Sequence, residues 1–129
     1  MPSVAIVGAS TKAERPSNLA VRRFRARGYT VWPVHPAGHQ VDGLRAYRSL
    51  ADLPDRPDLI CMYVNPQTGL AMLDAIVACR PQVLWLNPGA DGEPLHSAAR
   101  ARGLHVVEAC ALVSLATGDP YRDTVAGGG

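Results

Sequence analysis

Residues Ser3–Ser10 read Ser-Val-Ala-Ile-Val-Gly-Ala-Ser, a short apolar run that ends abruptly at Gly8. Such a run is typical of a strand buried on both faces, the usual state of a central strand in a parallel sheet. Glycine has no Cβ, so a ligand can approach the backbone closely at Gly8. Free N–H groups in the next loop and at the next helix's start can hold an anion, most often a phosphate.

Helices and strands alternate outward from this stretch. Pro16 is suited to the first position of a helix that runs to about Arg27 and ends at Gly28. A second helix is predicted after Asn65, with Asn65 as its N-cap and Pro66 as its first residue. The further predicted strands are Tyr29–Val34, Asp58–Val64, Gln82–Leu86 and Leu104–Glu108. Residues 37–56 are predicted to be mostly irregular, with one capped turn at 49–52.

The alternation predicts a single Rossmann-like, three-layer α/β domain with a five-stranded parallel sheet in order 3-2-1-4-5. In that order the topological switch lies between the first and fourth strands, and ligands bind there, beyond the carboxyl ends of the strands. Residues 1–115 are assigned to this domain. Residues 116–129 are polar and end in three glycines, so they are predicted to form a loose tail.

The composition excludes several classes of protein. The chain has 129 residues and a formal net charge of +2, with no apolar run long enough to cross a membrane. Arg22, Arg23, Arg25 and Arg27 are interpreted as the solvent face of a helix, so neither a nucleic acid nor a membrane is expected as a partner. The three cysteines are widely spaced, which favours reduced thiols in a cytoplasmic protein. A protein partner or a homo-oligomer stays open.

The strand ends narrow the choice of nucleotide. A site for NAD usually has three spaced glycines and an acidic residue after the second strand. Only Gly8 matches the glycine pattern, and the second strand ends in Val34-His35-Pro36. NAD is therefore disfavoured, whereas a phosphorylated ribose stays open. The P-loop pattern is absent as well.

The order of short motifs resembles that of the small stand-alone CoA-binding family. These motifs are Val7–Ser10 with Arg15–Ser17, Val31–Pro36, Tyr47–Pro54, Leu84–Gly89 and Val107–Cys110. The resemblance extends from Val4 to about Cys110. It implies a fold similar to the CoA-binding domain of succinyl-CoA synthetase and of ADP-forming acyl-CoA synthetases.

The resemblance also implies a set of binding residues. Those expected to hold the phosphates are Gly8, Ala9, Ser10, Arg15, Ser17 and Asn18, with Lys12, the only lysine, as a further candidate. Those expected to flank the adenosine or the pantetheine are His35, Pro36, Val64, Asn65 and Pro66. The opposite wall is expected to contain Asn87, Pro88 and Gly89.

The sequence therefore predicts a protein that binds CoA or acyl-CoA and is non-catalytic by itself, as a carrier, sensor or regulatory module. No catalytic residue and no metal ligand is assigned, because His35 and His39 lie in a proline–glycine loop and two ligands fall short of the usual three or four. The alternative is an enzyme or enzyme component, either an acyl-CoA ligase subunit or a small NADP-dependent oxidoreductase. Cys61 is interpreted as core. Cys110 is interpreted as a buried inert thiol, and the alternative is a thiol near the ligand's thiol end.

Overall fold

A computed structural model describes residues 1–126 of the chain. The strands are β1 (Ser3–Val7), β2 (Thr30–Val34), β3 (Gln40–Val41), β4 (Leu44–Arg45), β5 (Leu59–Met62), β6 (Val83–Leu86) and β7 (Val106–Glu108). The helices are α1 (Pro16–Ala26), α2 (Pro66–Ala71), α3 (Leu73–Cys79), α4 (Leu95–Ala101) and α5 (Ala111–Thr117). Leu50–Asp52 forms a 3-10 turn, and Arg122–Ala126 forms a π-helical turn.

Five strands form one parallel sheet in the order β2-β1-β5-β6-β7, so the predicted α/β fold with a five-stranded parallel sheet is confirmed. The position of one strand differs from the prediction. The predicted third strand, observed as β5, pairs with β1 rather than lying beyond β2 at the sheet edge. The topological switch therefore lies between β1 and β5.

The segment between β2 and β5 explains this order. It contains the 3-10 turn, which lies where the sequence predicted one turn, and the β3–β4 hairpin, which the sequence did not indicate. Tyr47 forms an isolated parallel bridge with Val34, which covers the outer edge of β2. The chain then crosses to the other side of β1, where β5 pairs with that strand.

Each face of the sheet has its own core. Cys61 packs with Phe24 and Trp85 in the core under α1 and α5. Its neighbours on β5, Ile60 and Met62, point to the opposite core, where helices α3 and α4 cover the sheet. All four residues of β5 are buried, as expected for a strand covered on both faces. The placement of Cys61 in the core is thereby confirmed.

The segment after Leu115 differs from the expected loose tail as far as Ala126. Tyr29 donates a hydrogen bond from its hydroxyl to Asp119, and the backbone N–H of Tyr121 donates to that hydroxyl at 3.0 Å. Arg27 donates to the carbonyl oxygen of Gly118 at 2.8 Å. The three terminal glycines lie outside the described residues, and the domain boundary at residue 115 stays a prediction. No helix of the described part is long and apolar enough to cross a membrane.

Candidate functional site

A cavity of about 520 Å³ lies beyond the carboxyl edge of the sheet, where the sequence predicted a site. It is bounded by the segments that follow β1, β5, β6 and β7 and by the first residues of α1. The lining residues are Gly8, Ser10, Lys12, Arg15, Pro16, Ser17, Tyr63, Asn87, Pro88, Cys110 and Leu112. Seven of the predicted binding residues are among them: Gly8, Ser10, Lys12, Arg15, Ser17, Asn87 and Pro88.

Gly8 is required by the fold itself. Its φ of +87° lies in the left-handed region, and a Cβ there would stand 2.9 Å from Cγ1 of Val64 and 3.3 Å from the carbonyl carbon of Tyr63. The space beside Gly8 is thus occupied by the residues that directly follow β5. The sequence had predicted that the absence of a Cβ at Gly8 lets a ligand approach, whereas in the structure it lets this segment approach.

The backbone N–H groups directly after β1 are already hydrogen bonded. Those of Gly8 and Ala9 both donate to the carbonyl oxygen of Val34, at 2.9 and 3.3 Å. The N–H of Ser10 donates to Oγ of Ser17, and that of Lys12 donates to Oγ of Ser10, each at 3.0 Å. These groups are therefore not free for an anion, contrary to the expectation from the sequence.

The donors that stay available lie at the start of α1. Within the described chain, the N–H groups of Ser17 and Asn18 donate to no other protein atom, as is usual in the first turn of a helix. The hydroxyls of Ser10 and Ser17 each accept one N–H bond and keep their own hydrogen for a further acceptor. The helix dipole favours a negative charge at the same place.

Two cations stand beside these donors. Lys12 and Arg15 are exposed, both line the cavity, and neither forms an ion pair with any residue between 1 and 126. The cavity wall contains no aspartate or glutamate. This side of the cavity is therefore positively charged and suits a phosphate group.

Arg22 differs from its interpretation as a solvated charge. It is half-buried, and it donates to Oδ1 of Asn18 at 2.9 Å and to the carbonyl oxygen of Ala13 at 2.7 Å. Asn18 is buried and donates from Nδ2 to the carbonyl oxygen of Ser10 at 2.9 Å. Asn18 thus supports the loop from behind and does not line the cavity. Ala9 is fully buried and does not line the cavity either.

Asn87 ties together the floor of the cavity. Its side chain is fully buried, donates to the carbonyl oxygen of Met62 at 3.2 Å and accepts from the N–H of Ala111 at 2.8 Å. The residues next to these two contacts are Tyr63 and Cys110, both of which line the cavity. One amide side chain therefore positions the end of β5 and the start of α5 relative to each other.

Tyr63, Cys110, Pro16 and Leu112 were not predicted as site residues. Tyr63 lay inside an apolar run that was interpreted as buried strand, although β5 ends one residue earlier, at Met62. One signal could have indicated Tyr63 as a site residue: it has a polar hydroxyl and lies just before Asn65-Pro66, the pair that starts the next helix. Cys110 is half-buried on the cavity wall, whereas Cys61 is fully buried in the core.

Six predicted residues lie outside the cavity wall: His35, Pro36, Val64, Asn65, Pro66 and Gly89. Oδ1 of Asn65 accepts from the N–H of Thr68 at 2.8 Å, which confirms it as the N-cap of α2. The His35 and His39 rings stack with centroids 4.2 Å apart, and partial burial and His39 lower the pKa of His35. No group of three possible metal-binding side chains occurs in residues 1–126.

One histidine has a carboxylate partner that the sequence did not indicate. Nδ1 of His96 lies 3.0 Å from Oε1 of Glu108, and the other carboxylate oxygen accepts from the N–H of Gly92 at 2.8 Å. The Gly92 and His96 hydrogen bonds lower the pKa of Glu108. Neither His96 nor Glu108 lines the cavity, so the pair connects α4 to β7 outside the candidate site.

Comparisons with known proteins agree with this architecture. Residues 2–116 match the family model described as a CoA binding domain. The uncharacterized protein YneT of Bacillus subtilis is 22% identical over 104 residues, which span 81% of this chain and 77% of the relative. A solved structure from Thermus thermophilus is 30% identical with a TM-score of 0.81, and the match covers 87% of this chain and 86% of that one.

A larger protein shares the fold in one part. The dinucleotide-forming acetyl-coenzyme A synthetase 1 of Ca. Korarchaeum cryptofilum, solved with phosphate and ADP, matches with a TM-score of 0.69 at 23% identity. The match covers 81% of this chain and 25% of that one. At this identity the likeness concerns the fold alone.

Proposed function

Because the chain belongs to the CoA-binding domain family, we propose that it binds coenzyme A, free or as an acyl thioester, in the cavity beyond β1, β5 and β6. One observation carries the proposal: the same cavity has a cationic side and a neutral side. Lys12 and Arg15, between β1 and α1, form the cationic side, and Tyr63, Cys110 and Leu112, which follow β5 and β7, bring no cation or carboxylate to the other side. CoA has the matching division into a phosphorylated nucleotide and an uncharged pantetheine arm.

The phosphates would occupy the start of α1. There they would accept from the N–H group of Ser17 and from the hydroxyls of Ser10 and Ser17, with Lys12 and Arg15 balancing the charge. The arm would then pass Asn87 and Pro88 toward Tyr63 and Cys110. NAD fits less well, because no acidic residue follows β2 to hold its ribose hydroxyls.

The proposed role is that of a carrier, sensor or regulatory module that does not transform its ligand. Enzymes need an acid, base or nucleophile with a placed partner. The cavity wall offers Cys110 and Tyr63 as reactive groups, and within residues 1–126 neither has a hydrogen bond from its side chain to a base. The His96–Glu108 pair lies elsewhere.

Calorimetric titration of the purified protein with CoA, acetyl-CoA, NAD and NADP tests the proposal. CoA or acetyl-CoA should bind more tightly than either dinucleotide. At a ligand concentration a hundredfold above Kd, binding should stabilise the fold by about 2.7 kcal/mol. That corresponds to a shift of a few degrees in Tm for a domain of this size. Equal binding of NAD and CoA, or binding of NAD alone, would overturn it.

A further inference from the structure

The hydroxyl of Tyr63 stands out among the polar groups around the cavity. Tyr63 lines the cavity, yet its hydroxyl oxygen is shielded from solvent and has no hydrogen-bond partner among residues 1–126. A buried hydroxyl without a partner is costly, and native proteins rarely keep one without a use. A phenylalanine would pack in the same place without this cost.

The surroundings of Tyr63 are neutral. Its ring packs against the core under α1 and α5. Burial raises its pKa, and the nearby thiols of Cys61 and Cys110 raise it further. The hydroxyl therefore keeps its proton and is a donor. An acceptor that carries a negative charge would be desolvated there without a cation, whereas a neutral carbonyl would not incur that cost.

Resting on the proposed function, we infer that the Tyr63 side chain, whose hydroxyl is shielded from solvent in the unliganded protein, turns toward the cavity on binding and donates a hydrogen bond from Oη to a neutral carbonyl oxygen of the ligand's arm. CoA has amide carbonyls in its pantetheine arm, and an acyl-CoA adds a thioester carbonyl. Asn87 holds the end of β5 against the start of α5, which keeps Tyr63 and Cys110 on the same side of the cavity. Tyr63 is thus a specificity residue for the arm, separate from the phosphate donors at α1.

The test compares wild type, Tyr63→Phe and a matched control, Tyr47→Phe. Tyr47 is half-buried and lies outside this cavity, and its hydroxyl makes no hydrogen bond in the described chain. Each protein is titrated with CoA, acetyl-CoA and adenosine 3′,5′-bisphosphate, which lacks the arm. The Tm of each unliganded protein is measured alongside.

Tyr63→Phe should bind CoA or acetyl-CoA about fivefold to tenfold more weakly than wild type. It should bind adenosine 3′,5′-bisphosphate equally well. Its Tm without ligand should be unchanged or higher, since an unpartnered buried hydroxyl is removed. Loss for acetyl-CoA alone assigns the bond to the thioester carbonyl, and loss for both assigns it to an amide.

Equal affinity of wild type and Tyr63→Phe for CoA and for acetyl-CoA would overturn the inference while leaving the proposed function intact. Weaker binding of all three ligands together with a lower unliganded Tm would overturn it too, because the hydroxyl would then serve the fold. A wild-type protein that binds neither CoA nor acetyl-CoA would overturn the proposed function itself.

Discussion

Nε of Arg22 donates a hydrogen bond of 2.9 Å to Oδ1 of Asn18, one turn earlier on α1. Asn18 passes the constraint on, since its Nδ2 donates to the carbonyl oxygen of Ser10. The other end of the loop is held as well, because Arg22 also donates to the carbonyl oxygen of Ala13. Arg22 does not line the cavity itself, but it holds the loop that does.

Arg22→Ala should therefore weaken CoA binding although Arg22 does not line the cavity. Loss of two charge-assisted hydrogen bonds, one to Asn18 on α1 and one to the loop at Ala13, should reduce affinity about threefold to tenfold. The control is Arg23→Ala on the same helix, because Arg23 is exposed and makes no side-chain hydrogen bond in the described residues. Titration calorimetry would check this. An equal affinity of the two variants would show that the loop is held without Arg22.

Lys12 and Arg15 should make CoA binding dependent on salt. Exposed charges are screened over about 8 Å at physiological ionic strength, so the wild-type Kd should rise as salt is added. Lys12→Ala with Arg15→Ala should weaken binding at low salt by about tenfold or more and flatten the salt dependence. A control with Arg100→Ala, on the exposed side of α4, should keep the wild-type slope. An unchanged slope in the double variant would remove both cations from the site.

Asn87→Ala should destabilise the fold strongly. The N–H of Ala111 would lose its only side-chain acceptor in the buried floor of the cavity, and the Met62 carbonyl oxygen would lose a donor. The expected cost is about 1–3 kcal/mol for the unsatisfied N–H of Ala111, and the lost side-chain bond to Met62, whose carbonyl oxygen still accepts from the backbone N–H of residue 87, adds about 1 kcal/mol. Asn65→Ala is the matched control, since Asn65 is an exposed cap whose loss should cost about 1 kcal/mol. Urea unfolding would measure both, and equal costs would contradict the bridging role.

Acid should weaken the contacts that hold residues 118–121 against Arg27 and Tyr29. Partial burial opposes ionisation of Asp119, but hydrogen bonds from Tyr29 and the Arg122 N–H, aided by the charges of Arg27 and Arg122, outweigh it and lower its pKa. A lowered folded-state pKa gives stability that is present above the unfolded value, about 3.9, and is lost as pH falls through the folded value.

Tm measured from pH 7 down to pH 3 would check this expectation. Asp119→Asn should be less stable than wild type at neutral pH, and the difference should shrink below about pH 4. The lowered pKa of Glu108 should leave part of the acid sensitivity in place. Asp74→Asn, at a surface ion pair with Arg102, should change little at any pH. A difference that stays constant with pH would contradict the role of the Asp119 charge.

The parallel sheet and its first strand could be predicted because each strand is an apolar run of a few residues that ends at a glycine, proline or polar residue, and such runs are visible in the sequence. Gly8, Asn65 and Cys61 lie where the sequence indicated: at the end of β1, at the start of α2 and within β5. The order of the strands could not be predicted in the same way. The order depends on whether residues 35–58 cross β1 before β5 begins, and no short sequence pattern indicates that path.

The site was predicted less completely because its contacts join distant residues. Arg22 has the spacing of a solvated face, and only the folded loop brings Ala13 and Asn18 to it. Tyr63 continues an apolar run, and its position depends on where β5 ends. Cys110 reaches the cavity through the Asn87 contact to α5, 24 residues further along the chain.

The carbonyl oxygen of Val34 receives the N–H groups of both Gly8 and Ala9. The loop that begins there is thus secured to β2 before any ligand arrives. A site built in advance loses little backbone entropy when it is filled, so more of the contact energy is retained as affinity. Association would then be limited by the encounter of ligand and cavity, with no slow folding of the loop around the phosphate.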